Sequence, residues 1–324
     1  MCDTDGFLFG IRHLATIIEA SSPAALARDT TPQNVHASYN GSNVVYRLLR
    51  METWGPALLN LGDYPFRWPF ASLNVAVNLE WAQRRLVMRS ARLMQIQPQH
   101  QVLDLACGRG KSSFILHCMH PGATVLGMDL LPGNINVAET LFDQLPGLSY
   151  TTGDVCNMPF PDQSFDRILC LEAAFHFPDR AKFLREAFRV LRPGGRAVVV
   201  DFAWKTDAHR QHRDEPRTQL VRDVWQWEDF YSISDYQRAA TDAGFRIAAQ
   251  HDWSSRVTHP IQAVFRCLSD LGNNSLGRRF MEWRNPLYRS ISDADWKALA
   301  ESVRGHQHVQ NNSNYMAFVL DKPL

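Results

Sequence analysis

One junction constrains this chain more than any other feature. Val102-Leu103-Asp104-Leu105-Ala106 is a short apolar strand that breaks into Cys107-Gly108-Arg109-Gly110, and Lys111 to Met119 then continues as a helix. A buried strand that hands a Gly-rich turn to a helix N-terminus brings its backbone close to a ligand. A side chain at Gly108 or Gly110 would obstruct that approach. The same alternation runs on to Trp204, with strand patterns at Ala123 to Met128, Leu148 to Thr152, Phe165 to Leu171 and Arg196 to Phe202. A helix opens near Pro132, where the missing N–H has no partner to lose. Ala181 to Leu191 carries the helical stripe Phe183, Leu184, Ala187, Phe188 and Leu191, terminated by Pro193-Gly194-Gly195. Regular alternation of this kind predicts an α/β fold with a parallel sheet and helices on both faces.

The flanking segments differ in character. Residues 1–97 show helical patterns, with breaks at Ser21-Ser22-Pro23 and Thr30-Thr31-Pro32-Gln33-Asn34; Leu86, Val87, Leu93, Met94 and Ile96 set a helix over 84–96. After Trp204 a polar, aromatic-studded stretch reaches Ser232, followed by a helix (Ser234 to Ala243) stopped by Gly244 and a strand at Phe245 to His251. Residues 258–308 read as largely helical before a last strand at Tyr315 to Leu320. The expected organisation is a helical N-terminal region over 1–97, an α/β core over 98–257, a lid insertion over 258–308 and the closing strand of the core in 309–324.

Composition narrows the partners. Among 324 residues, 45% are hydrophobic and 21% charged, with a formal net charge of +1. Nothing in that balance asks for nucleic acid or an acidic surface. No apolar run approaches the roughly 18 residues of a membrane-spanning helix. The segment Met1 to Gly10 has Asp3 and Asp5 and no cationic cluster, so no targeting peptide is expected. The six cysteines show no CxxC pair and no zinc-like spacing, so they read as small buried thiols in a reducing cytoplasm, and no bound metal is expected. The helical N-terminal region offers a surface on which a homodimer could form.

Two further signals follow the Gly-rich turn. Asp129 closes the next strand, nineteen residues after Gly110, where a carboxylate is placed to accept both ribose hydroxyls of an adenosine. Gly153-Asp154-Val155 follows the third strand; Asp154 can accept from an adenine amino group while Val155 packs on the ring. Together with Gly127-Met128-Asp129, the segment Asp162-Gln163-Ser164-Phe165-Asp166 and Leu191-Arg192-Pro193-Gly194-Gly195, these motifs resemble in order and spacing those of class I S-adenosylmethionine methyltransferases. The resemblance covers about residues 84–250. It implies a Rossmann-like seven-stranded sheet with the last strand antiparallel. It also implies S-adenosylmethionine contacts at Asp104, Gly108, Gly110, Asp129, Leu130, Asp154, Val155 and Leu171. Arg109 departs from the pattern, standing where the family has a small or hydroxyl residue; it can turn outward or meet an anion. A nicotinamide-dependent dehydrogenase is the nearest competitor, but Ser113 occupies the third glycine position of the dinucleotide fingerprint.

Ligands of such sheets bind at the carboxyl ends of the strands. After the fourth strand that segment is Glu172-Ala173-Ala174-Phe175-His176-Phe177, in which Glu172 and His176 are the titratable side chains. An imidazole titrating near pH 6.5 suits a proton acceptor, so His176 is the candidate base or a group that orders the loop. Glu172 is its candidate orienter, a holder of the cofactor ammonium or a stabiliser of a cation. This loop and Asn60-Leu61-Gly62-Asp63-Tyr64 resemble the branch of sterol, cyclopropane and natural-product C- and O-methyltransferases. That second resemblance implies a lipophilic small-molecule acceptor and a contact from Tyr64 to the cofactor.

Phe177, Trp204, Trp225, Trp227, Phe230, Tyr231 and Trp283 are the candidate acceptor contacts, against the plainer reading of aromatic core packing. His209-Arg210-Gln211-His212-Arg213, with Arg278, Arg279 and Arg284, is a candidate grip for a diphosphate. The expected function is therefore methylation of a small lipophilic acceptor at oxygen or carbon. The sharper alternative is C-methylation of a prenyl diphosphate, with Mg2+ as a further requirement. A third reading, from another class, is a non-catalytic S-adenosylmethionine-binding regulatory protein. No Asn-Pro-Pro-Tyr-like run follows the fourth strand, which argues against a nucleic-acid methyltransferase.

Overall fold

A computed structural model of the chain describes residues 58, 60–67, 69–142, 145–225, 227 and 229–324. The expectations for Met1 to Gly10 and for the breaks at Ser21 and Thr30 lie outside those residues. β1 (Gln101–Leu105), β2 (Thr124–Asp129), β3 (Leu148–Thr152), β4 (Phe165–Leu171), β5 (Leu191–Trp204), β6 (Arg246–Asp252) and β7 (Ser313–Asp321) form one seven-stranded sheet in the order β3-β2-β1-β4-β5-β7-β6. β1 to β5 pair parallel, and β7 runs antiparallel between β5 and β6. The interior strands read as unbroken apolar runs because both faces are covered. Val198, Val199 and Val200 of β5 are all buried.

On one face α1 (Leu79–Met94), α2 (Lys111–Met119) and α3 (Pro132–Phe142) bury Leu86, Met94, Leu116, Ile135 and Ala138. On the other, α4 (Arg180–Val190) and α6 (Ile233–Asp242) bury Phe183, Leu184, Ala187, Tyr236 and Ala240. Local chemistry sets the helix starts. Asn78 caps α1 by accepting from Trp81 N at 3.1 Å, Asp179 caps α4, and Ser232 and Asp235 form a reciprocal capping box on α6. Pro193-Gly194-Gly195 was expected to stop a helix. It lies instead inside β5, because α4 has already ended at Val190.

The insertion before β7 is helical: α7 (Thr258–Gly272), α8 (Ser275–Arg284) and α9 (Asp293–Asn312), gathered around buried Trp296, Tyr288 and Leu299. Gly272 is required there, because a Cβ would lie 2.0 Å from the Trp296 ring. The stretch between β5 and α6 is more ordered than its polarity predicts, forming a 3-10 turn (Asp207–Asp214) and α5 (Pro216–Trp225), which packs on α9. The segment 60–67 is tied down as a strap. Asp63, almost fully buried, accepts from Arg89 Nε at 3.0 Å, Arg256 Nε at 3.0 Å and Arg85 at 3.3 Å, while Gln83 Nε2 donates to the carbonyls of Leu58 and Asn60 at 2.7 Å. Three guanidiniums from α1 and the approach to α7 thus lock the strap over the carboxyl end of the sheet.

Candidate active site

The strand order reverses between β1 and β4, and the crevice at the carboxyl ends of these strands is where such sheets bind ligands. A cavity of about 210 Å³ opens there. β1 and its turn contribute Asp104, Ala106, Gly108 and Arg109 to its wall; β2 contributes Asp129 and Leu130; β3 contributes Asp154 and Val155; β4 contributes Leu171, Glu172, His176 and Phe177. Asp129 is held in place by its neighbours: Oδ2 accepts from Gly108 N at 2.9 Å, and Oδ1 accepts from Leu131 N and Asn134 Nδ2, each at 3.0 Å. Asp104 sits deeper, with both Ser112 and Ser113 hydroxyls donating to Oδ2 at 2.6 and 2.7 Å. Burial pushes its carboxyl up to about 6, against the lowering effect of those two hydroxyls.

The two glycines of the turn have separate jobs. Gly108 has φ +57 and a Cβ there would meet nothing within 4 Å, so its open side is the cavity. Gly110 was expected to touch the cofactor but is not part of the cavity wall. A Cβ at Gly110 would lie 2.6 Å from Ala138 Cβ and 2.7 Å from the Tyr150 ring, so its smallness serves the packing of α2 on α3 and β3. Ala106 holds φ +52, a left-handed conformation that costs a non-glycine residue roughly 1–2 kcal/mol. Arg109 is buried and lines the cavity, so it does not turn outward.

A second cavity, of about 70 Å³, lies between the sheet and the lid. Its wall is aromatic and aliphatic: Phe175, Phe202, Trp225, Trp227, Phe230, Val221, Phe265 and Val303 among others. Trp227 and Phe230 stack at 4.0 Å, and Phe230 stacks on Phe202 at 5.4 Å. The described polar members of that wall are Glu172, Gln262, Ser302, His306 and Gln310, and no lysine or arginine is among them. His306 Nδ1 donates to Ser302 O at 2.7 Å and Nε2 accepts from Trp225 Nε1 at 2.7 Å, an arrangement that only neutral imidazole satisfies. Burial accordingly lowers its pKa.

Glu172 borders both cavities. Its backbone is left-handed (φ +50) immediately after β4, its N–H is fixed to Val200 O at 2.8 Å, and its carboxylate accepts from Leu61 N at 3.0 and 3.1 Å and from Tyr315 Oη. Burial raises its carboxyl to about 8, with the Tyr315 and Leu61 hydrogen bonds pulling the other way. The loop that follows is pinned by Arg180, which donates from Nε to Ala174 O at 2.8 Å and from Nη2 to Phe175 O at 3.1 Å, with a further bond to Asp229 O. His176 lines the first cavity, packed against the Phe175 ring, and is not part of the second cavity's wall.

Several expected contacts fall elsewhere. Tyr64 is 1% exposed, packed among Leu79, Ala82 and Ile261 rather than on the cofactor cavity; Leu58 and Asn60 of the same strap reach that wall instead. Phe177 lies on the first cavity, not the second. Trp204 is fully buried behind Phe230, with Nε1 bonded to Asp229 at 2.9 Å. Tyr231 lies under the Arg180 guanidinium and beside Tyr236. Trp283 is 78% exposed on the outer face of α8. Five members of the basic cluster are engaged by acids or a hydroxyl: Arg210 by Asp229 and Asp235, His212 by Glu215, Arg213 by Asp214, Arg278 by Asp293, and His209 by Thr206 Oγ1. Arg180, Tyr315, His306 and Ala106 carried no local sequence signal, since each acts through partners distant in sequence or through a backbone angle.

Residues 103–199 match a family described as a methyltransferase domain. Among curated relatives, the phthiotriol/phenolphthiotriol dimycocerosates methyltransferase of Mycobacterium tuberculosis is 39% identical over 115 residues, covering 33% of this chain and 42% of that protein. The methyltransferase GfsG of Streptomyces halstedii is 36% identical over 126 residues, or 37% and 44% of the two chains. The 27-O-demethylrifamycin SV methyltransferase of Amycolatopsis mediterranei is 28% identical over 57% of this chain and 68% of its own length. The chain thus spans about two fifths of the first of these relatives. Solved structures of the same fold include the [4+2]-cyclase SpnF (TM-score 0.62, 17% identity, 87% and 93% of the two chains). Another is the geranyl diphosphate C-methyltransferase of Streptomyces coelicolor A3(2) (TM-score 0.62, 15% identity, 90% and 98%).

S-adenosylmethionine fits the first cavity. The fixed Asp129 carboxylate at the end of β2 would suit a ribose, Asp154 and Val155 just after β3 would suit an adenine, and the Gly108 backbone leaves open the space that a side chain would fill. Residues 103–199 thus carry a methyltransferase domain, and the sheet around it has the fold of S-adenosylmethionine-bound methyltransferase structures.

Proposed function

We propose that this protein methylates a small, lipophilic, natural-product-type acceptor at oxygen or carbon, and that Glu172 is the group that handles the acceptor's proton. The observation that carries the reading is the position of Glu172, on the shared wall of a polar cavity suited to S-adenosylmethionine and an apolar, aromatic one. The cofactor supplies a methyl group on a sulfonium, and the transfer needs an acceptor held in line with it at about 3 Å. The aromatic wall binds an apolar body, and within it Phe175, from the loop that Glu172 opens, meets Phe202 and Phe230 edge to face at 5.7 and 6.3 Å. A carboxyl held near 8 by burial takes a hydroxyl proton when ionised, assisted by the Tyr315 hydrogen bond that keeps it oriented. His176, on the cofactor side, serves to shape that cavity. The acceptor named for the rifamycin relative is consistent with this class. A prenyl diphosphate is disfavoured, because the apolar cavity has no cationic side chain among its described wall residues and Arg210 and Arg278 are paired with acids.

The test is calorimetric titration with S-adenosylmethionine, then mass-spectrometric screening of lipophilic phenols, polyketides and prenyl diphosphates for products heavier by one CH2. Binding followed by a methylated apolar product supports the reading. A product from prenyl diphosphates alone replaces it, and cofactor binding with no product from any acceptor class favours a non-catalytic binding protein.

A further inference from the structure

Two histidines and a glutamate converge away from both cavities. His212, in the 3-10 turn Asp207–Asp214, places Nδ1 2.6 Å from Glu215 Oε1. His308, near the end of α9, places Nε2 2.8 Å from the other carboxylate oxygen of Glu215. One ligand atom from each residue lies within 4.8 Å of the others, and the two imidazoles meet edge to face at 5.5 Å. The cluster is open on one side: the side chains of His212, His308 and Glu215 are 22%, 18% and 42% exposed.

We propose that His212, Glu215 and His308 bind a divalent transition-metal ion of the zinc type, tying α9 to the start of α5. Two neutral imidazole nitrogens and one carboxylate suit Zn2+ and disfavour the all-oxygen preferences of Mg2+ and Ca2+. The two facing nitrogens already lie beside the one carboxylate, one at each oxygen, and neutral imidazoles there would offer their lone pairs to an ion. Zinc–ligand bonds of 2.0–2.2 Å in a tetrahedron require ligand atoms about 3.3 Å apart. Reaching that value asks side-chain rotations that open the two nitrogen–oxygen distances from 2.6 and 2.8 Å, with ligand atoms that already lie within 4.8 Å of one another; a water on the exposed side would be the fourth ligand. Pro216 begins α5 directly after Glu215, so the carboxylate is held at a rigid helix start. His308 lies one helical turn from Arg304 and next to Val309, which faces the apolar cavity.

The consequence is mechanical. α5 supplies Val221 and Trp225 to the apolar wall, and α9 supplies Leu299, Val303, His306 and Val309. An ion joining the two helices would fix that wall's outer edge. This consequence rests on the acceptor reading above, whereas the metal site does not.

The experiment uses the full chain after EDTA treatment, titrated with zinc chloride in calorimetry and thermal melting, and with cobalt chloride in visible absorption. The expected result is one Zn2+ per chain, a zinc-dependent rise in Tm and a cobalt band of the intensity typical of four-coordinate sites. Binding falls at least tenfold in Glu215→Gln and is lost in His308→Ala, while His209→Ala stays within twofold of wild type. Circular dichroism in EDTA establishes that the variants fold; if His308→Ala does not, Glu215→Gln decides. No zinc-dependent shift in the wild type overturns the proposal, as does undiminished zinc affinity in Glu215→Gln. Because none of these readouts involves methyl transfer, failure here is separate from failure of the acceptor reading.

Discussion

Tyr315 donates its phenolic hydrogen bond to Glu172 Oε1, joining the start of the antiparallel last strand to the residue that follows β4. The two are separated by 143 positions in sequence, and β5 lies between their strands in the sheet. The bond reaches across because Glu172 leaves its strand in a left-handed conformation, swinging its carboxylate toward the lid.

That bond sets a pH expectation. It favours the ionised form of Glu172, whereas burial opposes ionisation and places the carboxyl at about 8. A base must be ionised to act, so turnover of a hydroxyl acceptor rises with pH through that region. Tyr315→Phe removes a stabiliser of the anion and moves the limb of the pH–rate profile to higher pH. Glu172→Gln abolishes the limb and lowers kcat by about a hundredfold or more. Profiles of kcat in the three proteins measure this, and an unshifted limb in Tyr315→Phe would contradict it.

Asp129→Ala is expected to weaken S-adenosylmethionine at least tenfold. The change removes a carboxylate at the ribose position and also releases Gly108 N, Leu131 N and Asn134 from their acceptor. Hydrogen bonds to a charged group contribute about 1.5–3 kcal/mol each, which sets the scale of the loss. Calorimetry on a variant with native circular dichroism checks it; unchanged affinity would remove the main support for the cofactor site.

Gly108→Ala and Gly110→Ala separate binding from folding. Both strain a left-handed backbone, at roughly 1–2 kcal/mol. The Gly108 methyl enters open cavity, so that variant loses only the few degrees of Tm that the shared strain costs and binds cofactor poorly. The Gly110 methyl strikes Ala138 and Tyr150 as well, so that variant melts several degrees lower still before any ligand is added. Equal melting temperatures for the two variants would refute the division of labour.

Trp225→Ala is expected to raise KM for an apolar acceptor about tenfold while leaving cofactor affinity within twofold. The indole forms part of the apolar wall and its N–H holds neutral His306 in place. Loss of an aromatic wall face and of one buried hydrogen bond accounts for a change of that size. A matching fall in cofactor affinity would mean that the two cavities are not separate subsites.

Much of the fold was legible along the chain because it rests on short-range regularities. Strand and helix alternation from Val102 to Trp204, the Gly-rich turn after β1 and the carboxylates at the end of β2 and just after β3 are each readable in a short window, and the sheet assembles these strands in parallel as expected. The cofactor side followed from the same rule, since strand ends at a topological switch point line the crevice whatever the rest of the chain does.

The acceptor side was not legible in that way. Aromatic residues at 204, 225, 227, 230, 231 and 283 look alike in sequence, yet three of them line the apolar cavity, two are packed behind it or under Arg180, and Trp283 faces outward. Which face of a helix turns inward depends on what packs against it, and here α9 packs on both α5 and α7. Likewise, four positions apart in sequence, His176 reads as the candidate base and Glu172 as its orienter. The left-handed turn at Glu172, and a tyrosine arriving from the last strand, decided that only Glu172 meets both cavities. The sequence alone determined the nucleotide-binding half, because its motifs are contiguous; tertiary packing decided the acceptor half, because its walls are contributed by segments that meet only after the sheet closes.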